Sequence, residues 1–115
     1  MKKLEYSLIA SKKLKGLRRD LTEKYGEVFS GDLIRKTLKS IRQLEQYPDS
    51  GVQMAKLYDI DTDYWYLFVN HNYFIYRVES DKVIVLQIFN EKEDFMQSLF
   101  GITGRTQESI DYWGE

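Results

Sequence analysis

The stretch YFIYRVESDKVIVLQIFNEKEDF, residues 73–95, decides how the rest of the chain is read. Two runs rich in aromatic and β-branched residues, Tyr73 to Val78 and Val83 to Phe89, flank Glu79-Ser80-Asp81-Lys82. That is the pattern of a β-hairpin. Residue identity does not fix its register. A three-residue loop puts Tyr73, Arg77, Val83 and Gln87 on one face, and a two-residue loop moves Gln87 to the other. The three-residue loop is favoured because it gathers Phe74, Tyr76, Val78, Ile84, Leu86 and Ile88 into one apolar face. A charged stretch, Asn90 to Asp94, closes the hairpin.

Upstream of the hairpin, Tyr64 to Val69 is a strand rich in aromatic residues, and Asn70-His71-Asn72 is a tight reversal, because Asn and His tolerate left-handed backbone. Met54 to Tyr58 reads as a short strand and Asp59 to Asp63 as a polar turn. Consecutive strands with short links make an antiparallel meander.

The first half is helical after one opening strand, Leu4 to Ala10. Ser11 stands where an N-cap belongs, and Leu14, Leu17, Leu21 and Tyr25 form one apolar stripe ending at Gly26. A second helix is expected from Ser30 or Asp32, with the stripe Ile34, Leu38, Ile41 and Leu44, ending at Pro48. Their short connection makes the two helices an antiparallel hairpin. Beyond Asp94, the residues Phe95, Met96, Leu99, Phe100 and Ile102 predict a short helix that packs back on the core. The fold class is therefore α+β: an N-terminal strand, an antiparallel helical hairpin packed on a mainly antiparallel sheet, and a short C-terminal helix. Residues 1–102 read as one domain and 103–115 as a polar C-terminal tail.

Composition narrows the chemistry. The chain of 115 residues has no Cys and one His, so thiolate chemistry is excluded and no metal-ligand set exists. Asp59, Asp61 and Asp63 alternate as in a calcium loop, but the glycine and distal glutamate are missing. There is no glycine-rich phosphate loop, no cofactor motif, no signal peptide and no apolar span of membrane length. A cytoplasmic protein is expected.

The net charge of −1 conceals a segregation: residues 1–47 hold twelve Lys or Arg against six Asp or Glu, and residues 48–115 hold five against twelve. A basic first half favours an acidic partner, either a protein segment or a phosphate backbone. In the second half, Lys56, Arg77 and Lys92 are the cations that could share one concave sheet face, beside Tyr73 or Tyr76 as a base-stacking ring. Cations so placed stabilise developing negative charge in metal-free RNA cleavage. The structural alternative is pairing of Arg77 and Lys56 with nearby acids such as Glu79 and Asp59.

In its element order over residues 4–96, the sequence resembles the RelE/ParE superfamily, toxins of bacterial type II toxin–antitoxin systems that inhibit growth and stabilise plasmids. The resemblance is sharpest over NYFIYRVESDKVIVLQIFNEKEDF, residues 72–95, where Tyr76-Arg77-Val78, a polar turn and an aliphatic strand look like the family's terminal hairpin. SGVQMAKLYDI, residues 50–60, occupies the place of the strand that enters the sheet after the helical hairpin.

The resemblance implies a cognate antitoxin and a target that is either DNA gyrase or the ribosome and its mRNA, with no cofactor. Antitoxins of this family wrap the toxin, often as a helix in a groove plus an added strand. On the basic half, Arg18, Arg35, Lys39 and Arg42 are the antitoxin-binding candidates. Ribonuclease relatives carry a cationic set that is depleted here. Lys56 matches a basic position, but Tyr73 stands for a mid-sheet catalytic Arg, with Arg77, four residues on, the nearest cation in the chain. Gln87 stands for Arg, Asn90 for His and Lys92 for Arg. Lys at the last position loses the bidentate phosphate fork. Lys56, Tyr73, Arg77, Asn90 and Lys92 are thus the catalytic candidates of an incomplete set. The preferred expectation is a ParE-like gyrase inhibitor. The alternatives are a RelE-like ribosome-dependent mRNA endoribonuclease and a non-toxic antitoxin-binding relative.

Overall fold

Ser7, four residues before the predicted cap, starts the first helix. Its hydroxyl accepts from the Ala10 N–H at 3.0 Å and donates to the Leu86 carbonyl at 2.7 Å, so one side chain both caps the helix and fastens it to the sheet. The computed structural model describes residues 1–101 and contains β1 (Lys3–Tyr6), α1 (Leu8–Tyr25), α2 (Glu27–Arg42), β2 (Val52–Gln53), α3 (Met54–Tyr58), β3 (Tyr64–Val69), β4 (Asn72–Val78), β5 (Lys82–Asn90) and α4 (Phe95–Phe100). A 3-10 turn, Gln43–Glu45, extends α2. The sheet order is β1-β5-β4-β3-β2, with β1 parallel to β5 and every other pair antiparallel. The α+β expectation holds. Ile102 and the tail at 103–115 lie outside the described residues.

Gly26 is both the stop of α1 and the start of α2. Its φ of 87° is open to glycine, and its N–H still donates to the Thr22 carbonyl. The second helix consequently begins at Glu27, earlier than its expected caps. Ser30 is instead buried, and its hydroxyl lies 2.8 Å from that of Thr22, tying the two helices together near their turn. Asn70 and His71 carry positive φ between β3 and β4, as their residue types predict.

The hairpin of residues 73–95 departs from the favoured register. Val78 pairs with Val83, and the Glu79 N–H donates to the Lys82 carbonyl at 2.8 Å, so the loop has two residues. Tyr76 pairs with Val85 but Ile75 pairs with Gln87, leaving Leu86 as the extra residue of a β-bulge. The bulge shifts the alternation of β5. Val83, Val85 and Ile88 therefore join Phe74 and Tyr76 in the core beneath the helical hairpin, in place of the expected Ile84 and Leu86. It also returns Gln87 to the face of Tyr73, Ile75 and Arg77.

Both faces of the sheet are covered. Ala10, Ile41 and Leu44 of the helical layer pack with Phe74, Tyr76, Val83, Val85 and Ile88 on one side. On the other, Met54 of α3 and Phe95 and Met96 of α4 pack with Ile75 and Phe89. The segment Met54–Tyr58, expected as a strand, is a short helix lying on β3, and only Val52 and Gln53 pair with it as β2.

Candidate functional site

The five catalytic candidates fall on both faces of the sheet and in the turn after β5. Lys56 sits on α3, exposed, and makes no ion pair among the described residues. Tyr73 lies in an aromatic cluster, with ring centroids 4.7 Å from Phe68, 4.8 Å from Phe95 and 5.2 Å from Tyr66. Burial, and then the Glu91 carboxylate, raise the Tyr73 phenol above its ordinary value. Tyr58 beside it is pushed up to about 12, by burial first and then by Tyr66 and Tyr73. These phenols stay protonated at neutral pH and belong to a packed surface under α4.

Arg77 is committed to acids. Its guanidinium lies 2.9 Å from Glu79 and 4.0 Å from Asp63, the structural alternative to a catalytic role. Asn90 serves the turn that follows β5. Its side-chain oxygen accepts from the Lys92 N–H at 3.0 Å, while its own N–H donates to Glu93 at 2.9 Å. It also lines a groove on the helical side of the sheet, the opposite face from Tyr73 and Arg77. Lys92 is exposed in that same turn. A candidate cleavage site needs donors converging on one phosphate within hydrogen-bond reach. This arrangement distributes them over two faces.

What the structure does assemble is the groove itself, about 470 Å³, between α1 and the end of β5. Ile9, Leu17 and Ile88 supply its apolar lining and Lys12 and Lys13 its basic rim, with Asn90 and Glu93 opposite. Lys13 reaches across to Glu93 at 3.8 Å and stands 5.1 Å over the Phe89 ring. Leu8 and Ile9, next to it, are 71% and 56% exposed, a large apolar surface for the first turn of a helix. Reading residues 4–10 as one strand hides this patch. Once Ser7 is taken as the cap, Leu8 and Ile9 fall off the Leu14, Leu17 and Leu21 stripe, which is the signal in the sequence that marks them.

The sheet also keeps an open margin. β2 pairs only with Trp65 and Tyr66, so Leu67 to Val69 have no outer strand partner among the described residues, and Phe68 within that span is 46% exposed. The antitoxin-binding candidates are elsewhere. Arg18 is exposed on α1, and Arg35, Lys39 and Arg42 are exposed on α2, with Arg35 paired to Asp32 at 2.8 Å. No group of His, Cys, Asp and Glu able to hold a metal occurs among the described residues, and no helix there is long and apolar enough to cross a membrane.

Comparison with known proteins agrees with this architecture. A solved structure titled "Chromosomal ParDE TA system from P. aeruginosa" superposes with a TM-score of 0.65 at 14% identity, covering 78% of this chain and 96% of that one. At that identity the likeness concerns the fold. No curated protein matches the chain. The model of the family described as "ParE toxin of type II toxin-antitoxin system, parDE" matches residues 4–95, the span from β1 to the start of α4. Membership of such a family implies an antitoxin partner. The chain belongs to the ParE toxin family of type II toxin–antitoxin systems.

Proposed function

We propose that this toxin acts without bond-breaking chemistry, by inhibiting DNA gyrase, and that a cognate antitoxin neutralises it by occupying the groove between α1 and β5. The observation that carries the first half of the reading is that the catalytic candidates are individually occupied or set on different faces. Arg77 is spent on Glu79 and Asp63, Tyr73 is packed among rings, and Asn90 looks out on the other face. Losing even one charge-stabilising donor costs an enzyme a factor of about a hundred or more.

The groove supports the second half. An amphipathic helix places its apolar face in such a cleft, and acidic residues on its flanks meet Lys12 and Lys13. The open margin at Leu67 to Val69 would accept a further strand from the same partner.

A supercoiling assay tests the first claim. Purified toxin added to gyrase and relaxed plasmid is expected to block supercoiling, with substitution of Lys56, Arg77 or Lys92 by Ala leaving the block within about threefold. Full supercoiling at toxin in tenfold excess, together with cleavage of mRNA on ribosomes that disappears in the Arg77→Ala variant, contradicts it.

A further inference from the structure

The solvent face of α2 is cationic over two turns. Arg35, Lys36, Lys39 and Arg42 are all exposed, while Ser30, Ile34, Thr37 and Ile41 on the opposite side are buried. At about 100° per residue the four cations fall within roughly one third of the helix circumference. From Arg35 to Arg42 the axial span is about 10 Å.

Only Arg35 is neutralised, by Asp32. Lys36, Lys39 and Arg42 make no ion pair among the described residues. Lys39 and Arg42 also border a shallow pocket of about 280 Å³ with Met1, Gln43 and Gln46. Glu45 shares that pocket, but its carboxylate accepts the Leu4 N–H at 3.1 Å. Lys15, Arg18 and Arg19 are exposed on the neighbouring α1 and add to the positive potential of the helical layer.

We propose that this face of α2 binds the phosphate backbone of a nucleic acid. The surface chemistry decides between this and an acidic protein segment. A protein partner anchors on buried apolar groups, and large exposed apolar side chains cluster at Leu8 and Ile9 beside the groove and at Tyr25, Val28 and Phe29 near the α1–α2 turn. None lies on the stripe from Arg35 to Arg42, and a single exposed apolar side chain, Met1, shares the pocket beside Lys39 and Arg42. A backbone of regularly spaced phosphates needs cations and hydrogen-bond donors only.

The near-neutral total charge is no obstacle, because the acids are concentrated in residues 48–115. Charges beyond about 8 Å are largely screened at physiological ionic strength. Such binding would be sequence-independent and strongly weakened by salt. The proposal stands apart from the gyrase reading, since no topoisomerase enters it.

Fluorescence anisotropy of labelled 20-base-pair DNA and RNA duplexes, titrated with the purified chain from 25 to 200 mM KCl, tests it. The expected result is binding that falls linearly in log–log form with salt. Each phosphate-neutralising cation that is removed reduces the slope by about 0.9, so Lys36→Gln/Lys39→Gln/Arg42→Gln should lower it by about 2.7. The variant's thermal midpoint, expected to be unchanged at these exposed positions, guards against misfolding. Tighter binding of one duplex names the source of the phosphate, and either supports the proposal. No binding at 25 mM KCl, an unaltered slope in the variant, or equal binding of polyglutamate overturns it.

Discussion

The Tyr76 hydroxyl holds both ends of one loop, donating to the Pro48 carbonyl at 2.9 Å and accepting the Gly51 N–H at 3.1 Å. Gly51 is required there, because a Cβ would stand 2.4 Å from both that hydroxyl and the Tyr66 carbonyl. Tyr76→Phe leaves two half-buried backbone groups without their partner and is expected to cost about 1–3 kcal/mol in a urea titration. Tyr6 presents the reverse case. Its hydroxyl is buried with no partner among the described residues, so Tyr6→Phe should leave stability at neutral pH unchanged or raised. Both phenols are pushed up to about 12, by burial chiefly, against an ordinary value of 10.0. Raised folded values mean that this contribution is intact below pH 10 and is lost as pH climbs through 12. Stability should therefore fall between those limits, and less steeply in Tyr6→Phe, as read by circular dichroism.

At the scale of elements, the strong periodic segments were legible and the small irregularities were not. The leucine stripe of α1, the isoleucine stripe of α2, the Gly26 stop and the Asn70–His71 reversal all follow from residue type and spacing. The bulge at Leu86 carries no marker, since Leu is not a residue that bulges select, and its effect is to reverse the facing of every β5 residue before it. α3 is five residues long, too short for helical periodicity to separate it from a strand.

The joint between α1 and α2 is a single residue, and its geometry makes a prediction. Gly26 has φ 87° and ψ 167°, a region that other residues essentially never occupy. Gly26→Ala should cost about 1–3 kcal/mol by denaturant unfolding. Ser7→Ala removes a cap and a bond to the sheet together, and about 1–2 kcal/mol is expected. Values near zero for both would mean that the helical layer is held by packing alone.

For the whole molecule, the family was legible in element order and in Tyr76-Arg77-Val78, and it is confirmed over residues 4–95. The site was less so. Cations such as Lys56, Arg77 and Lys92 are visible in a sequence, but the acids that occupy Arg77 and the faces that separate it from Asn90 are products of the fold. The groove was not legible because its apolar lip, Leu8 and Ile9, continues the apolar run of the opening strand and gives no sign of the turn at Ser7. Leu17→Glu places a charge in that groove and is expected to weaken antitoxin binding at least tenfold in calorimetry, with the fold retained by circular dichroism. Retained affinity would move the antitoxin to another surface.

The central claim, a ParE toxin that stops gyrase instead of cutting mRNA, is tested most directly in growing bacteria. Pulse-labelled DNA and protein synthesis should be followed for the first minutes after induction of this chain without an antitoxin. DNA synthesis is predicted to fall first while translation continues. A collapse of protein synthesis ahead of any change in DNA synthesis would contradict that claim and return Lys56, Tyr73, Arg77, Asn90 and Lys92 to the role of a ribonuclease site.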